Sequence, residues 1–328
     1  MNSKTKRTVL QSDINRIFVF HNLGTVSEIK ALSGGEFNSV YKVTADNMNY
    51  VIKIAPAADV RVLTYEKDII SSEIFALEHF KGNPYVHIPE VKAFGEDAEI
   101  GKYLIMEFVE GKMLLNCVLS DMEYDSILFH LGKAIAEFHN TNCDRGFGYL
   151  QNGLKQSWQE AYFSMLENIR QDAERVHIKI PYIRKIRAVV DNCKDVLDEV
   201  KKPSLLHFDL WKGNIFVRDK KLHSVIDCER MMLGDPVGDF IHLDYIAPFD
   251  KEKYKQLIDG YNSVAEHSLL FNKNERIRFY LVRLYLGLIA YVETDYRLSK
   301  YSVAFYGKKI FARKVLRVSL NELNKLMK

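Results

Sequence analysis

The chain reads His207-Phe208-Asp209-Leu210-Trp211-Lys212-Gly213-Asn214 in its second half, and Asp227 follows at the end of the apolar run Ser224-Val225-Ile226. Short apolar runs separated by turn residues predict a β-hairpin after Asn214, which would bring Asp209, Asn214 and Asp227 together. Phosphoryl transfer uses such a set, because one carboxylate accepts the proton of the attacking hydroxyl while other oxygen atoms bind magnesium. We therefore expect Asp209 to be the catalytic carboxylate and Asn214 and Asp227 to bind Mg²⁺.

Each of these residues also has an ordinary structural explanation. Asp209 could cap a turn, Asn214 could follow Gly213 in a left-handed conformation, and Asp227 could simply end a strand. The complete pattern, His-x-Asp-x-x-x-x-Asn followed by a strand-terminal Asp, favours the catalytic interpretation. We expect His207 to brace the loop through a backbone hydrogen bond rather than to act as a base.

The first third of the chain has a strand-like pattern. β-branched and aromatic residues separated by turn formers predict a small antiparallel sheet. The predicted strands cover residues 28–32, 39–43, 50–54 and 102–107. Apolar residues at helical spacing between Ile70 and Phe80 predict one helix within this region.

A glycine turn and a lysine are the candidate phosphate contacts in this sheet. Ser33-Gly34-Gly35 lies between two predicted strands, where backbone N–H groups could approach a phosphate, although a Gly-Gly hairpin turn is the commoner use. Lys53 stands among apolar neighbours, so it either needs an anionic partner or points to water from an edge strand. We expect Glu73 to be that partner, ahead of Glu66, because the apolar residues after Glu73 would hold its helix against the sheet.

Beyond Gly111 the pattern becomes mainly helical. The expected fold is therefore α+β and bilobal, with an N-terminal nucleotide-binding lobe over residues 1–107 and a hinge over 108–111. A helical catalytic and substrate-binding lobe follows over residues 112–328. The backbone from Glu107 to Val109 would offer hydrogen-bonding groups to a purine ring.

Composition narrows the class of partner. The 328 residues are 47% hydrophobic, and 46 Lys plus Arg against 43 Asp plus Glu leave a net charge of only +3, which gives no general field for nucleic acid. No residue run is long and apolar enough for a signal peptide or a membrane span. The four cysteines have neither disulfide-framework nor zinc-ligand spacing. We expect a soluble cytoplasmic protein, a monomer or weak dimer, without a nucleic-acid or membrane partner.

With these residues identified, the chain resembles the aminoglycoside phosphotransferase family. This family is a branch of the protein-kinase-like fold that includes choline, fructosamine, methylthioribose and homoserine kinases. The resemblance is carried by residues 33–38, 104–111, 131–139, 206–214, 225–230, 234–236 and 239–240. It implies that Asp209 is the base, that Asn214 and Asp227 hold Mg²⁺, that Lys53 contacts the phosphates of ATP or GTP, and that Asp239 steadies the catalytic loop.

The resemblance implies transfer of the γ-phosphate to a hydroxyl of a small molecule, with an aminoglycoside-like antibiotic as the first candidate acceptor. A metabolite kinase is the alternative, because residues 209–214 are similar to fructosamine kinases. A nucleotide-binding pseudokinase is a third possibility. The segment Asp227-Cys228-Glu229-Arg230 is similar to aminoglycoside kinases, with Glu229 where many of them have glycine. A protein kinase would instead have Asp-Phe-Gly at this position.

Several residues are candidate acceptor contacts. Trp211 either stacks on a sugar ring or fills the core below the loop, and the sequence favours neither. Glu229, Glu293 and Asp295 could attract amino groups, although acidic residues on helices are usually solvated. We expect the basic segment from Lys308 onward to form a helix packed on the helical lobe with its basic face in water.

Overall fold

The structure is a computed structural model that describes residues 4–32, 35, 37–141 and 143–328. A five-stranded antiparallel sheet fills the first third of the described chain, with strand order β1-β2-β3-β5-β4. Its strands are β1 (Val26–Ala31), β2 (Ser39–Ala45), β3 (Met48–Ile54), β4 (Val91–Asp97) and β5 (Gly101–Glu107). Four of these strands were predicted from the sequence, and β4 was not.

One helix covers each face of this sheet. Successive residues of a strand point to opposite faces, so Ile52 and Ile54 of β3 share one face while Lys53 points to the other. The isoleucines pack against the helix α1 (Gln11–Phe20), which the sequence analysis did not predict. On the opposite face lies the predicted helix α2 (Ile69–Phe80), whose buried side chains join the main hydrophobic core. The strand pattern therefore directs Lys53 toward α2.

The rest of the chain is mainly helical. Its longest helix, α8, is buried around most of its circumference and packs against α9, as expected for a helix at the centre of a lobe. Asn272 begins α8 by accepting hydrogen bonds from the N–H groups of Asn274 and Glu275. The helices are α3 (Asp121–Asn140), α4 (Trp158–Arg175), α5 (Ile183–Asp191), α6 (Lys194–Leu197), α7 (Lys255–Asn262), α8 (Lys273–Arg297) and α9 (Val303–Leu326).

Two small antiparallel sheets hold the loops that follow residue 206. One pairs β7 (Ser204–Leu206) with β10 (Met232–Gly234). The other joins β6 (Lys112–Met113), β8 (Ile215–Arg218) and β9 (Lys221–Val225), and its β8–β9 pair is the predicted hairpin. Asp209 lies in the loop between β7 and β8, and Asp227 lies just beyond β9. Both carboxylates are thus fixed by short strands on either side of them.

The architecture is α+β, with the antiparallel sheet before residue 108 and most of the helices after it, as the sequence predicted. β5 ends at Glu107 and β6 begins at Lys112, the two positions between which the hinge was expected. The division into lobes at these residues stays a prediction. Within the described part of the chain, no helix has both the length and the apolar character that a bilayer span requires.

Helices α3 and α7 cross at two glycines. A Cβ atom added to Gly132 would lie 2.1 Å from the carbonyl oxygen of Leu257, and one added to Gly260 would lie 2.0 Å from that of Phe129. Real Cβ atoms do not approach backbone this closely, so the helix contact requires both glycines. Gly307 on α9 differs, because a Cβ atom there would have no neighbour within 4 Å.

We predict that Gly132→Ala destabilises the protein by about 2 kcal/mol or more, since α3 and α7 must separate to admit the methyl group. Gly307→Ala is the matched control and should be neutral or stabilising by up to about 1 kcal/mol, because alanine favours an exposed helix. Thermal unfolding of both variants measures the difference. Equal melting temperatures for the two variants would contradict the close helix contact.

Candidate active site

Lys53 is the centre of a buried ion cluster. Its ammonium nitrogen lies 2.6 Å from Oε1 of Glu73 on α2 and 2.6 Å from Oδ1 of Asp227 beyond β9. Lys53 is 7% exposed and Glu73 is fully buried. The structure therefore pairs Lys53 with Glu73, and Glu66 instead bonds to Arg297 of α8. Three separate elements, β3, α2 and the end of β9, meet at this one cation.

The ammonium of Lys53 and the carboxylate of Asp227 each stabilise the charged form of the other. Burial disfavours the charged form of Lys53, but the carboxylates of Asp227 and Glu73 outweigh it and raise the pKa of Lys53 well above its usual value. Burial likewise opposes ionisation of Asp227, yet the neighbouring ammonium lowers the pKa of this carboxyl below its ordinary value. Both groups are therefore charged at neutral pH, which a nucleotide-binding lysine and a metal-binding carboxylate require.

Asp239 holds the loop that carries Asp209. Its two carboxylate oxygens accept hydrogen bonds from the N–H groups of His207, at 3.1 Å, and Phe208, at 2.7 Å. Phe208 has a φ of 56°, an unfavourable conformation for a residue with a side chain, so the loop needs this support. The ring of His207 donates from Nε2 to the carbonyl oxygen of Ile226 at 3.1 Å. His207 and Asp239 thus lie where the sequence and the resemblance expected structural residues.

Asp209 faces the cleft with an 18% exposed side chain. The amide nitrogen of Asn214 donates to its Oδ2 at 3.0 Å and to its backbone oxygen at 2.9 Å. Burial raises the pKa of Asp209 to about 7, and the negative charges of Asp227 and Glu293 add to this effect against the attraction of Arg230. A carboxylate with a pKa near the working pH is suited to accept a proton.

Oxygen donors suitable for a divalent cation surround Asp227. One carboxylate oxygen from each of Glu73, Asp227 and Glu229 lies within 4.8 Å of the others. Within the described residues, Oε2 of Glu73 is buried without a hydrogen-bond partner. An all-oxygen set of this kind fits Mg²⁺ or a similar hard cation. Glu229, which the sequence analysis considered only as an acceptor contact, therefore belongs with the candidate metal ligands, while the amide nitrogen of Asn214 is turned to Asp209.

A cleft of about 940 Å³ connects these groups. At one end, which we call the sheet end, it is lined by apolar side chains from the five-stranded sheet and the residue after β1, from the segment between β5 and β6, and from the β8–β9 hairpin and the residue after it. They are Leu32, Val40, Val51, Met106, Val109, Phe216 and Ile226. Gly35, Glu107 and Val109, which were expected to contact a nucleotide, also line the cleft, and their contact with a nucleotide stays a prediction. Ser33 and Gly34, the other two predicted contacts, lie outside the described residues.

The opposite end of the cleft, which we call the helix end, is formed mainly by α8 and α9. Its residues are Arg230, Tyr245, Leu286, Gly287, Ala290, Glu293, Arg297, Lys308, Phe311 and Val315. Arg230 bonds to Glu293 at 3.0 Å, so the short segment from Asp227 to Arg230 touches Lys53 at one end of the cleft and α8 at the other. The two ends are thus parts of one continuous site.

Three sequence expectations about the acceptor region need correction or completion. Asp295 does not line the cleft, because its carboxylate bonds to Lys309 of α9. Lys309 is itself only 7% exposed, so the basic face of α9 is not wholly in water. Trp211 is 37% exposed and its ring lies over Gly213, which excludes the core-filling role and leaves it at the edge of the cleft.

Phe37 and Asn38, which lie just before β2, contact the helical part of the protein. Nδ2 of Asn38 donates to Oε2 of Glu229 at 2.9 Å. The guanidinium group of Arg297 lies 5.7 Å from the ring centre of Phe37. Burial and the nearby charge of Asp227 raise the pKa of Glu229 to about 8.

Most of the helix end was missed by the sequence analysis. Arg230 was noted only within a motif, and Tyr245, Arg297, Lys308 and Phe311 were not singled out as site residues. They come from segments far apart in the chain that meet only because α8 and α9 pack together. The spacing of residues along the chain does not indicate which distant segments come into contact in the folded protein.

The division of the site between a small sheet and a helical body is that of phosphotransferases of the protein-kinase-like class, and this chain falls in that class. The model of the phosphotransferase enzyme family, APH, matches residues 28–271. The chain belongs to this family. It is therefore an enzyme of the small-molecule kinase type, which transfers a phosphate to an alcohol group.

Individual relatives are distant. A probable ketoamine kinase of Enterococcus faecium is 24% identical over 255 residues, which cover 75% of this chain and 83% of that protein. The hygromycin-B 4-O-kinase of Escherichia coli is 22% identical over 242 residues, covering 71% of this chain and 66% of that protein. A thermostable mutant of aminoglycoside phosphotransferase APH(4)-Ia, solved with AMP-PNP and hygromycin B, has the same fold, with a TM-score of 0.66 at 17% identity, covering 94% of this chain and 98% of that chain.

We predict that Asp239→Asn lowers kcat by about tenfold or more. The amide nitrogen of asparagine cannot accept a hydrogen bond from a loop N–H group, and the loss of this bond costs about 2 kcal/mol of loop stability. Asp235→Asn is the control. Asp235 is equally buried, but it bonds to Arg278 at 2.8 Å, away from the loop. It should lower the melting temperature and leave kcat nearly unchanged. Equal kcat losses at equal destabilisation would contradict the anchoring role of Asp239.

Proposed function

We propose that the protein transfers the γ-phosphate of ATP to a hydroxyl group of a small molecule in a magnesium-dependent reaction. The observation that carries this proposal is the meeting, in one cleft, of the Lys53–Glu73–Asp227 cluster with the carboxylate of Asp209. A binding module without catalysis would need neither a base with a pKa near 7 nor the loop anchor at Asp239. The intact set thus favours an enzyme over a pseudokinase.

The sheet end of the cleft is the proposed nucleotide site. Its apolar lining suits the faces of a purine ring, and the backbone of Glu107 and Val109 lies beside it to provide hydrogen-bonding groups. Among the described residues, none accepts a hydrogen bond from the N–H of Val109, so this donor remains available to the ring. ATP is preferred to GTP in this proposal because the structurally similar APH(4)-Ia binds an ATP analogue.

Each residue of the central cluster then has one task. Lys53 contacts the phosphates, and Glu73 keeps the lysine extended toward them. Asp209 orients the acceptor hydroxyl and accepts its proton. Asp227, with Glu229 and Asn214 as further candidate ligands, would hold Mg²⁺, which neutralises charge on the phosphate oxygens when bound. Asn214 also fixes the side chain of Asp209 through its amide nitrogen.

The helix end is the proposed acceptor site, because it belongs to the same cleft as the carboxylate of Asp209. A metabolite of the ketoamine type is the first candidate acceptor, because relatives named probable ketoamine kinases are 24% and 25% identical to this chain. The aminoglycoside remains the second candidate because of the similarity to hygromycin-B 4-O-kinase.

We predict that Asp209→Asn lowers kcat by about 10² to 10⁴-fold, because the amide cannot accept the hydroxyl proton. Its affinity for AMP-PNP should stay within about threefold of the wild type, since Asp209 is not a proposed nucleotide ligand. Steady-state kinetics and calorimetry measure the two quantities. Full turnover by the variant would remove Asp209 from its role as base.

A panel of acceptors tests the substrate class. The wild-type enzyme with ATP and Mg²⁺ is incubated with fructose-derived ketoamines, hygromycin B and other aminoglycosides, and the products are weighed by mass spectrometry. We expect the mass of one added phosphate on a ketoamine and no change in the aminoglycosides. Transfer to an aminoglycoside alone would reverse the order of the two candidates.

A further inference from the structure

Oδ1 is the open oxygen of the Asp209 carboxylate. Oδ2 accepts a hydrogen bond from the amide nitrogen of Asn214, whereas no described residue donates a hydrogen bond to Oδ1. Nδ1 of His242 lies 3.9 Å from Oδ1, which is too far for a hydrogen bond. An acceptor hydroxyl that gives its proton to Asp209 therefore approaches Oδ1, on the side of the carboxylate where His242 lies.

His242 is enclosed beside Asp209 and has one hydrogen-bond partner among the described residues. Its side chain is fully buried, and Nδ1 lies 3.0 Å from the hydroxyl oxygen of Tyr245. The rings of Phe208 and Tyr245 both meet the imidazole edge to face, with ring centres 5.3 and 5.7 Å away. Burial lowers the pKa of His242 to about 3, so the ring is neutral and only one of its nitrogens carries a proton.

The surroundings of the imidazole place this proton on Nδ1. Nε2 is buried without a hydrogen-bond partner in the described part of the chain. A proton on Nε2 would be a donor without an acceptor, and it would leave the lone pair of Nδ1 facing the Asp209 carboxylate, and both effects are unfavourable. A proton on Nδ1 instead meets the oxygen of Tyr245 and lies near the carboxylate. His242 is therefore the donor in its hydrogen bond with Tyr245.

The hydroxyl hydrogen of Tyr245 is then left for a ligand. The tyrosine oxygen accepts from His242, so its own O–H points elsewhere, and no other described residue bonds to it. Tyr245 is half-buried, lines the helix end of the cleft, and has its ring held edge to face against Phe311 at 5.8 Å. Burial and the negative charge of Asp209 raise the pKa of Tyr245, so the phenol stays protonated at neutral pH. The cleft thus contains a fixed hydrogen-bond donor beside Asp209.

We propose that Tyr245 binds the acceptor by donating a hydrogen bond from its hydroxyl to a second hydroxyl of that molecule, next to the one that Asp209 activates. His242 is a positioning residue, which acts by holding the oxygen of Tyr245. The oxygens of Tyr245 and Asp209 neighbour the same nitrogen, at 3.0 and 3.9 Å, so both hydroxyls of one 1,2-diol can reach them. The proposal rests on the function proposed above and specifies its acceptor as a polyol with hydroxyls on neighbouring carbons.

Single-deoxy acceptors test the contact. The probes are the fructose ketoamine of propylamine, as the parent compound, and its 3-, 4-, 5- and 6-deoxy analogues. Calorimetry with Mg²⁺ and AMP-PNP gives their dissociation constants without transfer. We expect one analogue to bind the wild type about tenfold more weakly than the parent compound because it has lost the partner of Tyr245. Mass spectrometry of the product formed with ATP should place the phosphate on a carbon adjacent to the one that this analogue lacks a hydroxyl on.

Tyrosine variants identify the donor. Tyr245→Phe should bind the parent compound about tenfold more weakly, and its affinities for the parent and that analogue should agree within about twofold. Tyr280→Phe is the matched control, because Tyr280 accepts from the backbone N–H of Phe249 at 2.8 Å and does not line the cleft. It should keep the full discrimination. A variant that is only partly folded would weaken the binding of all probes in proportion.

Substitutions of His242 test its positioning role. The amide nitrogen of asparagine can replace Nδ1–H as a donor, so His242→Asn should discriminate at least about fivefold, whereas His242→Leu should lose the discrimination. ¹⁵N magnetic resonance of the protein with labelled histidine should show a proton on Nδ1 of His242 and a bare Nε2. The signal is assigned by its absence from His242→Asn. A proton on Nε2 would overturn the assignment of Tyr245 as a donor to the acceptor.

The outcomes separate this proposal from the proposed function. Equal affinity of the wild type for all probes, no binding of the parent compound, or unchanged discrimination in Tyr245→Phe would overturn the Tyr245 contact. Phosphate transfer to the parent compound alongside equal affinities would leave the kinase function standing. Discrimination that depends on Tyr245, without transfer to any probe, would support the contact and contradict the function.

Discussion

The buried ammonium of Lys53 is the interaction on which the rest of the site depends. It is bonded to a carboxylate of α2 and to another beyond β9, so it fixes the sheet, the helix above it and the segment after β9 relative to one another. Removing the ammonium would leave the carboxylates of Glu73 and Asp227 close together without this counter-charge, which costs more than an ion pair itself contributes. The ion pairs of Lys53 therefore determine the geometry of the cleft as much as packing does.

The loop that carries Asp209 depends on a second buried carboxylate in the same way. Asp239 supplies acceptors for two N–H groups that the left-handed conformation of Phe208 directs inward. The loop can then present Asp209 to the cleft without a regular secondary structure of its own. A rigid support beneath an irregular loop allows Asp209, whose pKa is raised to about 7, to keep a fixed position in the cleft.

Sequence patterns predicted the parts of this protein that are local. The spacing of Asp209, Asn214 and Asp227, the apolar neighbours of Lys53 and the helical period from Ile70 to Phe80 all lie within short segments. The structure places the first three residues and Lys53 at one cleft, and the helix lies beside them. Strand β4 was missed because Gly95 and charged residues interrupt its apolar alternation and Pro89 lies just before it. The helix end was missed for another reason, since its charge balance arises from helices that meet only in the folded chain.

Phe37 and Asn38 have one more consequence. They hold the chain just before β2 to Arg297 and Glu229 of the helical part. A change in the angle between the sheet and the helices has to break both contacts. The rate of any entry or release that needs such a motion therefore depends on their strength as well as on the affinity of the bound molecule.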